Sequence, residues 1–148
     1  CDHIDQNGEK GTLCGDGLKL SYRHSAYYDN GCTITGVYFK LKKGNPDEIK
    51  SKMQDLMGRR KSKQPLEFAS AGSTFKRPEG YFAGALIEEC NLKGTTIGGA
   101  QVSTKHAGFV INTGGATCND VLALCKQVSD TVYKEKGVRL EMEVRVTK

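Results

Sequence analysis

Apolar and polar side chains alternate most regularly over residues 138–146 of the chain. Valine, leucine and methionine occupy every second position there, and all four positions between them are arginine or glutamate. A period of two is typical of a half-buried strand, so we predict a strand over this segment. The same alternation places Glu143 on one side of the strand together with Arg139, Glu141 and Arg145.

A helix is predicted ahead of that strand. Apolar positions between Val121 and Val132 cover one helical face over three turns, which is typical of an amphipathic helix. Thr117 and Asp120 form a capping box at its start, and Gly137 supplies a stop signal at its end.

Two more helices are predicted earlier in the chain. Asn45 supplies an N-cap and Pro46 a first helical residue for a helix that we expect to end near residue 60. Its apolar positions recur at helical spacing and are Ile49, Met53, Leu56 and Met57. A short amphipathic helix is predicted over residues 82–90, closed by Gly94.

Turn signals near the start of the chain predict short strands. Asn7 and Gly8 indicate a hairpin with a type I′ turn. A second such signal at residues 29–31 joins the run over 20–28 to a predicted strand over 32–42, which alternates regularly from Val37 onward and has a bulge at Gly36.

The middle of the chain predicts a loop and two strands. Residues 67–80 are rich in serine, glycine and proline and predict a long loop. Short strands are predicted over residues 95–102 and 108–112. This order of elements predicts the α+β class, with a small mixed or antiparallel sheet packed against two to three helices after an N-terminal hairpin.

Composition is that of a globular domain. The chain has 148 residues, of which 37% are hydrophobic and 26% charged, and no apolar run approaches the length of a membrane span. We therefore expect no membrane partner. The chain starts on Cys1, without an initiator methionine or a signal segment, and we expect it to be a piece of a longer protein.

The net charge of +5 is compatible with an anionic ligand. The dense basic cluster at residues 59–63 contains no aromatic side chain of the kind that stacks on nucleic-acid bases. We interpret it first as a solvated helix C-terminus, then as a phosphate contact, and last as a nucleic-acid site.

Six cysteines have no CxxC spacing, and three histidines have no ligand-like spacing, so no metal site is predicted. We expect reduced thiols in a cytoplasmic protein, with Cys118 and Cys125 at core positions of a helix.

Three places carry more polar chemistry than folding requires. Small residues in the 70–78 loop allow a ligand to approach the backbone, and Lys76 and Arg77 can meet an anion; a simple turn is the alternative. The corner at residues 103–106 is interpreted as a surface turn. The charged row of the terminal strand is interpreted as solvated ion pairs. None of these patterns identifies a reaction.

Several sequence runs, in one order, are shared with a known family. They are LSYRHSAYY, PLEFASAGSTFKRPEGYFAGALIEECNLKGTTIGGAQVSTKHAGFVINTGGATCNDV and GVRLEMEVR. Together they closely resemble the C-terminal part of UDP-N-acetylenolpyruvoylglucosamine reductase, the MurB family. The resemblance implies that residues 1–45 are the end of a FAD-binding domain and that residues 46–148 are the substrate-binding domain.

The resemblance implies an oxidoreductase of peptidoglycan synthesis in the bacterial cytoplasm. In the family, NADPH reduces bound FAD, and hydride then passes to UDP-N-acetylglucosamine enolpyruvate to give UDP-N-acetylmuramate. The implied partner is this UDP-sugar, with no nucleic acid, membrane or obligate protein partner. The family's glycine-rich flavin segment has no counterpart in the sequence, so we expect this chain alone neither to hold FAD nor to turn over.

The resemblance also assigns residues. Ser73 is the implied proton donor to the reduced substrate, and Glu143 the residue that assists that step. Implied substrate contacts are Tyr22, Lys61, Lys76, Arg77 and His106.

Two of these contacts differ from another member of the family, because Arg77 replaces an asparagine and His106 a glutamine. Arg145 is assigned to cofactor contact. The alternative function is a non-catalytic nucleotide-sugar binding module, with Lys61, Lys76 and Arg77 as an anion cradle.

Overall fold

The computed structural model of the protein describes residues 1–147, and the chain divides into two compact units, Cys1–Asn45 and Pro46–Lys148. The first unit holds a three-stranded antiparallel sheet in the order β2-β1-β3. Its strands and single α-helical turn are β1 (Asp2–Ile4), β2 (Lys10–Thr12), α1 (Ala26–Asp29) and β3 (Thr33–Gly36), and a 3-10 turn spans Gly15–Leu18. Within this unit no residue is fully buried.

The predicted N-terminal hairpin is confirmed, but its type I′ turn is wrong. The connection runs from Asp5 to Glu9, and the backbone amide of Asp5 donates to the carbonyl of Glu9 at 2.9 Å. The Asp5 carboxylate also accepts hydrogen bonds from the amides of Asn7 (2.9 Å) and Glu9 (2.8 Å). These side-chain bonds favour a longer, aspartate-centred turn over a two-residue one.

The predicted bulge at Gly36 is confirmed, but the strand predicted over 32–42 is confirmed only as β3, Thr33–Gly36. The run over 20–28 is not the other arm of a hairpin, since α1 occupies Ala26–Asp29. The register between β1 and β3 shifts between Asp2 and His3, so that Asp2 faces Gly36 while His3 faces Ile34. The pairing between β1 and β3 ends at Gly36, the last residue of β3. Val37, Phe39 and Leu41 are consequently exposed rather than half-buried.

The second unit combines an antiparallel sheet with three helices. The sheet has the strand order β4-β7-β6-β5. In chain order the elements are α2 (Pro46–Lys63), β4 (Ala69–Ser73), α3 (Ala83–Glu89), β5 (Thr96–Ile97), β6 (Ala100–Val102), β7 (Phe109–Asn112) and α4 (Cys118–Lys136). The predicted α+β class is therefore confirmed.

Helix α4 supplies much of the core. It packs against β5, β6 and α3, and its fully buried side chains include Leu124, Val128 and Val132. The predicted capping box is confirmed, since the Thr117 hydroxyl accepts from the Asp120 amide at 3.1 Å and the Asp120 carboxylate accepts from the Thr117 amide at 2.9 Å. These bonds satisfy donors that a helix start otherwise leaves unpaired.

The other two helices also form where predicted. Helix α2 begins at Pro46 and runs to Lys63, beyond the expected end, and none of its residues is buried. Helix α3 is confirmed as a short helix, but Gly94 does not close it. Asn91, with a φ of 56°, takes the left-handed position that ends the helix.

One loop prediction and two strand predictions in this unit need correction. The predicted loop over 67–80 contains β4, which pairs with β7. The predicted strand over 95–102 is two strands, β5 and β6, joined by a tight turn at Gly98 and Gly99. The predicted strand over 138–146 forms no regular strand and contributes a single bridge between Met142 and Phe75.

Among the residues described, no helix is long and apolar enough to cross a membrane.

Candidate functional site

The strand that carries Ser73 bends just before it. In β4, Ser70 faces Ile111, whereas Ser73 faces Phe109, so the register shifts between the two serines. Gly72 within the shift has a φ of +85°, a left-handed conformation that favours glycine. Such bulges turn a side chain away from the regular pleat and occur often near active sites. Ser73 ends the strand with an exposed side chain.

The segment that carries Glu143 pairs with the residues immediately after Ser73. The amide of Glu143 donates to the carbonyl of Thr74 at 2.9 Å, and the amide of Lys76 donates to the carbonyl of Glu141 at 2.8 Å. Backbone pairing thus brings Glu143 next to the residue that follows Ser73. Glu143 itself is half-buried.

Lys76 and Glu141 face each other across this pairing. The Lys76 ammonium lies 3.0 Å from the Glu141 carboxylate, and both side chains are exposed to solvent. The ion-pair interpretation therefore holds for Glu141. An exposed pair of this kind contributes about 0–1 kcal/mol to stability, so the lysine can exchange partners at low cost.

A cleft of about 450 Å³ opens beside this pair, with Lys76, Arg77, Arg139, Glu79 and Glu141 in its lining. The Arg77 guanidinium lies over the Phe82 ring, 4.0 Å from its centroid. Its Nε–H donates to the Tyr81 carbonyl at 3.3 Å, and this bond together with the stacking fixes the plane of the guanidinium.

A second cleft, of about 530 Å³, is lined by residues of β4, β7, α4 and the segment after Glu143. Its lining is mostly apolar, with Val110, Val121 and Val144 among the residues, and Arg145 supplies a cation.

The corner at residues 103–106 is a surface turn, as predicted. The buried Ser103 hydroxyl accepts from the amides of Lys105 (3.2 Å) and His106 (3.3 Å). The Gly108 amide donates to Nδ1 of His106 at 3.1 Å, so in the neutral ring the proton is on Nε2. Glu67 is the ion-pair partner of Lys105. The pKa of the Glu67 carboxyl is lowered by a hydrogen bond from the backbone amide of Glu67 and by one from Lys105.

The remaining predicted contacts lie on other elements. Lys61 is an exposed residue in the last turn of α2. Tyr22 belongs to the first unit, where its ring is 81% exposed and lies 5.5 Å from the Arg23 guanidinium. The group that backbone pairing gathers is therefore Ser73, Lys76 and Glu143.

The sequence patterns do not identify Thr74, which follows Ser73 and is hydrogen-bonded to Glu143. Thr74 is 3% exposed, and its hydroxyl accepts from the Val110 amide at 2.9 Å. The only local signal is Gly72, two residues before Thr74. A glycine there indicates a bulge only once the partner strand is known.

Of the two cysteines predicted at core positions, Cys125 is confirmed, because it is buried. Burial raises the pKa of its thiol to about 11. The core position predicted for Cys118 is wrong. Cys118 is the first residue of α4, before the helix meets the core, and it is exposed. Within residues 1–147 no group of three or more histidine, cysteine or acidic side chains could hold a metal ion.

Comparison with known proteins gives one consistent result. Residues 64–147 match the model of the UDP-N-acetylenolpyruvoylglucosamine reductase C-terminal domain. Reductases of that name from Clostridium novyi and Agathobacter rectalis are each 53% identical over 97% of this chain, which covers 47% and 46% of their lengths. The chain thus spans about half the length of these curated relatives.

A solved structure shows the same fold. The crystal structure of UDP-N-acetylenolpyruvylglucosamine reductase (MurB) from Thermus caldophilus superposes with a TM-score of 0.79 at 34% identity. The match covers 97% of this chain and 51% of that one.

Proposed function

This chain belongs to the UDP-N-acetylenolpyruvoylglucosamine reductase family, and we propose that it supplies the substrate-binding and proton-donating part of such an enzyme. The proposed reaction reduces UDP-N-acetylglucosamine enolpyruvate to UDP-N-acetylmuramate for peptidoglycan synthesis, in the bacterial cytoplasm. Residues 46–148 are the proposed substrate domain, and residues 1–45 are proposed to belong with the flavin domain. The observation that carries this proposal is the pairing that joins the Glu143 segment to the residue after Ser73.

The reduction needs a hydride and a proton at adjacent carbons. When bound, FAD reduced by NADPH would supply the hydride, which would go to the terminal methylene carbon of the enolpyruvyl group. The neighbouring carbon then bears negative charge that its carboxylate shares, and it takes a proton to complete the product.

Ser73 is the proposed proton donor. Its O–H bond breaks as the new C–H bond forms, and the resulting alkoxide is reprotonated from solvent. A serine hydroxyl is a weak acid, so the step requires a strongly basic carbanion and nearby positive charge. Lys76, three residues on in the same paired segment, is the proposed source of that charge.

Glu143 is proposed to assist protonation from the facing segment. It is half-buried, and its backbone is fixed to Thr74 by a 2.9 Å hydrogen bond. A carboxyl group held in this way can orient the donor hydroxyl or the substrate with little reorganisation.

Substrate binding is assigned to cations and hydrogen-bond donors around these groups. Lys76 and Arg77, in the lining of the basic cleft, are proposed to hold phosphate or carboxylate oxygens. His106 is proposed to donate from Nε2, since Gly108 occupies Nδ1. Lys61 and Tyr22 are kept as proposed substrate contacts on the family resemblance alone.

Arg145 is the proposed cofactor contact in this chain. It is the one cation in the described lining of the apolar cleft, and a guanidinium suits the anionic edge of a reduced flavin ring. We propose that most contacts to FAD come from outside this chain. A purified sample of residues 1–148 is therefore expected to show no stoichiometric flavin absorbance and no turnover.

The alternative function, a non-catalytic nucleotide-sugar binding module, rests on the same basic cleft. Both proposals predict that the chain binds UDP-N-acetylglucosamine in preference to a random oligonucleotide of equal charge. Titration of the isolated chain with the two ligands tests this, and tighter binding of the oligonucleotide would contradict both.

Glu143→Gln separates catalysis from binding. In a complete reductase that carries this sequence, we expect flavin reduction by NADPH to keep its rate, while reoxidation by substrate slows by ~10- to 100-fold. Glu141→Gln is the matched control, because it frees Lys76 and should change KM more than the rate. Equal effects of the two substitutions on reoxidation would contradict the role of Glu143.

A further inference from the structure

Thr74 makes three hydrogen bonds to two parts of the second unit, the start of β7 and the Glu143 segment. Its amide donates to the Gly108 carbonyl at 2.9 Å, and its carbonyl accepts from the Glu143 amide at 2.9 Å. Its hydroxyl accepts from the Val110 amide, also at 2.9 Å. The side chain is 3% exposed, so solvent cannot replace these bonds.

The side-chain bond repairs a gap that the bulge creates. The register between β4 and β7 shifts between Ser70 and Ser73, and Val110 lies opposite the shift. At that point a strand carbonyl would normally accept the Val110 N–H, and a buried N–H without an acceptor is costly. The Thr74 hydroxyl takes the place of the missing carbonyl.

We propose that Thr74 is the positioning residue that fixes the Ser73 hydroxyl relative to Glu143. Its hydroxyl anchors the end of β4 on β7, while its carbonyl holds the Glu143 segment. The two proposed catalytic residues are thereby attached to one buried residue, although neither is bonded to the other through its backbone. This inference rests on the proposed function of Ser73 and Glu143.

The chemical reason is the short reach of proton transfer. A donor hydroxyl must lie within hydrogen-bond distance of the carbon that it protonates, and a misplacement of about 1 Å costs on the order of 100-fold in rate. Loss of the Thr74 hydroxyl frees the strand end at the position of Ser73. Hydride transfer into the flavin from NADPH uses none of these bonds.

Thr74→Val and Thr74→Ser in a complete reductase test this inference. The valine variant keeps the shape and removes the acceptor, whereas the serine variant keeps the hydroxyl. We expect Thr74→Val to slow flavin reoxidation by substrate by ~10- to 100-fold without changing flavin reduction, and Thr74→Ser to restore the rate to within ~3-fold. Normal reoxidation in folded Thr74→Val, or equally slow serine and valine variants, would overturn the inference.

Two controls separate positioning from loss of stability. Thr117→Val removes the hydroxyl that caps α4, away from the site, and should lower stability without slowing reoxidation. If Thr74→Val does not fold, Thr74→Cys presents a weaker acceptor in the same place and should give an intermediate rate. A cysteine variant with the normal rate would contradict the proposal.

Amide hydrogen exchange gives a readout that is independent of turnover. The Val110 and Glu143 amides are expected to exchange at least ~10-fold faster in Thr74→Val than in the parent protein, and unchanged exchange would contradict the anchoring role. Ser73→Ala is measured in parallel. If Ser73→Ala reoxidises normally the proposed function fails, whereas slow Ser73→Ala with normal Thr74→Val rejects only the inference about Thr74.

Discussion

The two units of the chain use their apolar residues in opposite ways. In the second unit, Ile87, Leu124 and Val128 are completely inaccessible and form part of one hydrophobic cluster. In the first unit, Leu20, Phe39 and Leu41 are 73–83% exposed and no residue is fully buried.

The first unit is held instead by polar bonds. The Tyr27 hydroxyl donates to the Cys1 carbonyl at 3.0 Å and lies 2.9 Å from Nδ1 of His3. Apolar burial is the larger stabilising term in folding, because a hydrogen bond made in the protein replaces one made with water. The comparison therefore indicates that the second unit carries the stability of the chain, and it also carries the rigid core beneath the proposed catalytic residues.

The largest expected effect is a cavity in the second core. Leu124→Ala should lower the free energy of unfolding by about 2–5 kcal/mol, because the side chain is fully buried against α3 and the sheet. Leu41→Ala is the matched change in the first unit, and its effect should stay within about 0.5 kcal/mol, because Leu41 is 83% exposed. Urea unfolding measures both, and equal losses would break the comparison.

A smaller difference in unfolding free energy is expected between a buried hydroxyl of the second unit and an exposed hydroxyl of the first. The Ser129 hydroxyl donates to the Leu140 carbonyl at 2.9 Å inside the core, so Ser129→Ala should cost about 1–3 kcal/mol. The Thr12 hydroxyl makes a bond of 2.8 Å to Asp2 in the first unit, but it is exposed and solvent can replace it. Thr12→Val should therefore change the unfolding free energy by less than about 0.5 kcal/mol, and a larger loss than for Ser129→Ala would contradict the account.

The third comparison is between the N-cap residues of one helix in each unit. Thr117 caps α4 through its side chain, and Thr117→Ala should cost about 1 kcal/mol. Ser25 precedes α1 in the same position but makes no side-chain capping bond, so Ser25→Ala should be close to neutral in thermal unfolding. Reversed magnitudes would show that the first unit contributes more stability than its burial indicates.

Thiol labelling compares the two units in the protein without any substitution. Because burial raises the pKa of Cys125 to about 11, about one thiol in a thousand is ionised at pH 8, and reaction with a disulfide reagent should await unfolding. The exposed Cys14 of the first unit should react within minutes in the folded protein. Mass spectrometry of the labelled peptides distinguishes them, and early labelling of Cys125 would count against a closed core.

Sequence patterns predicted the elements whose signals are local. The capping box at Thr117 and the N-cap signal before Pro46 specify helix starts through bonds or dihedral angles of neighbouring residues, and both helices begin there. The regular alternation over 138–146 failed because a strand needs a partner along its length. After Lys76 the facing chain leaves the pairing, and only Met142 keeps a bridge, to Phe75.

The candidate site was predictable only as far as family resemblance reaches. Ser73 and Glu143 were named from motifs that lie far apart in the sequence, and no spacing rule could place them together. Thr74 could not be named at all, because its role depends on the position of Val110 opposite the bulge. Its contribution is a tertiary hydrogen bond, which leaves no local pattern.

The central claim is that Ser73 protonates the reduced substrate. Its most direct test is stopped-flow absorbance of the flavin in a complete reductase with Ser73→Ala. The account predicts unchanged flavin reduction by NADPH and reoxidation by UDP-N-acetylglucosamine enolpyruvate slowed by ~100- to 10,000-fold. Reoxidation at the parent rate, or an equal loss in both half-reactions, would contradict it.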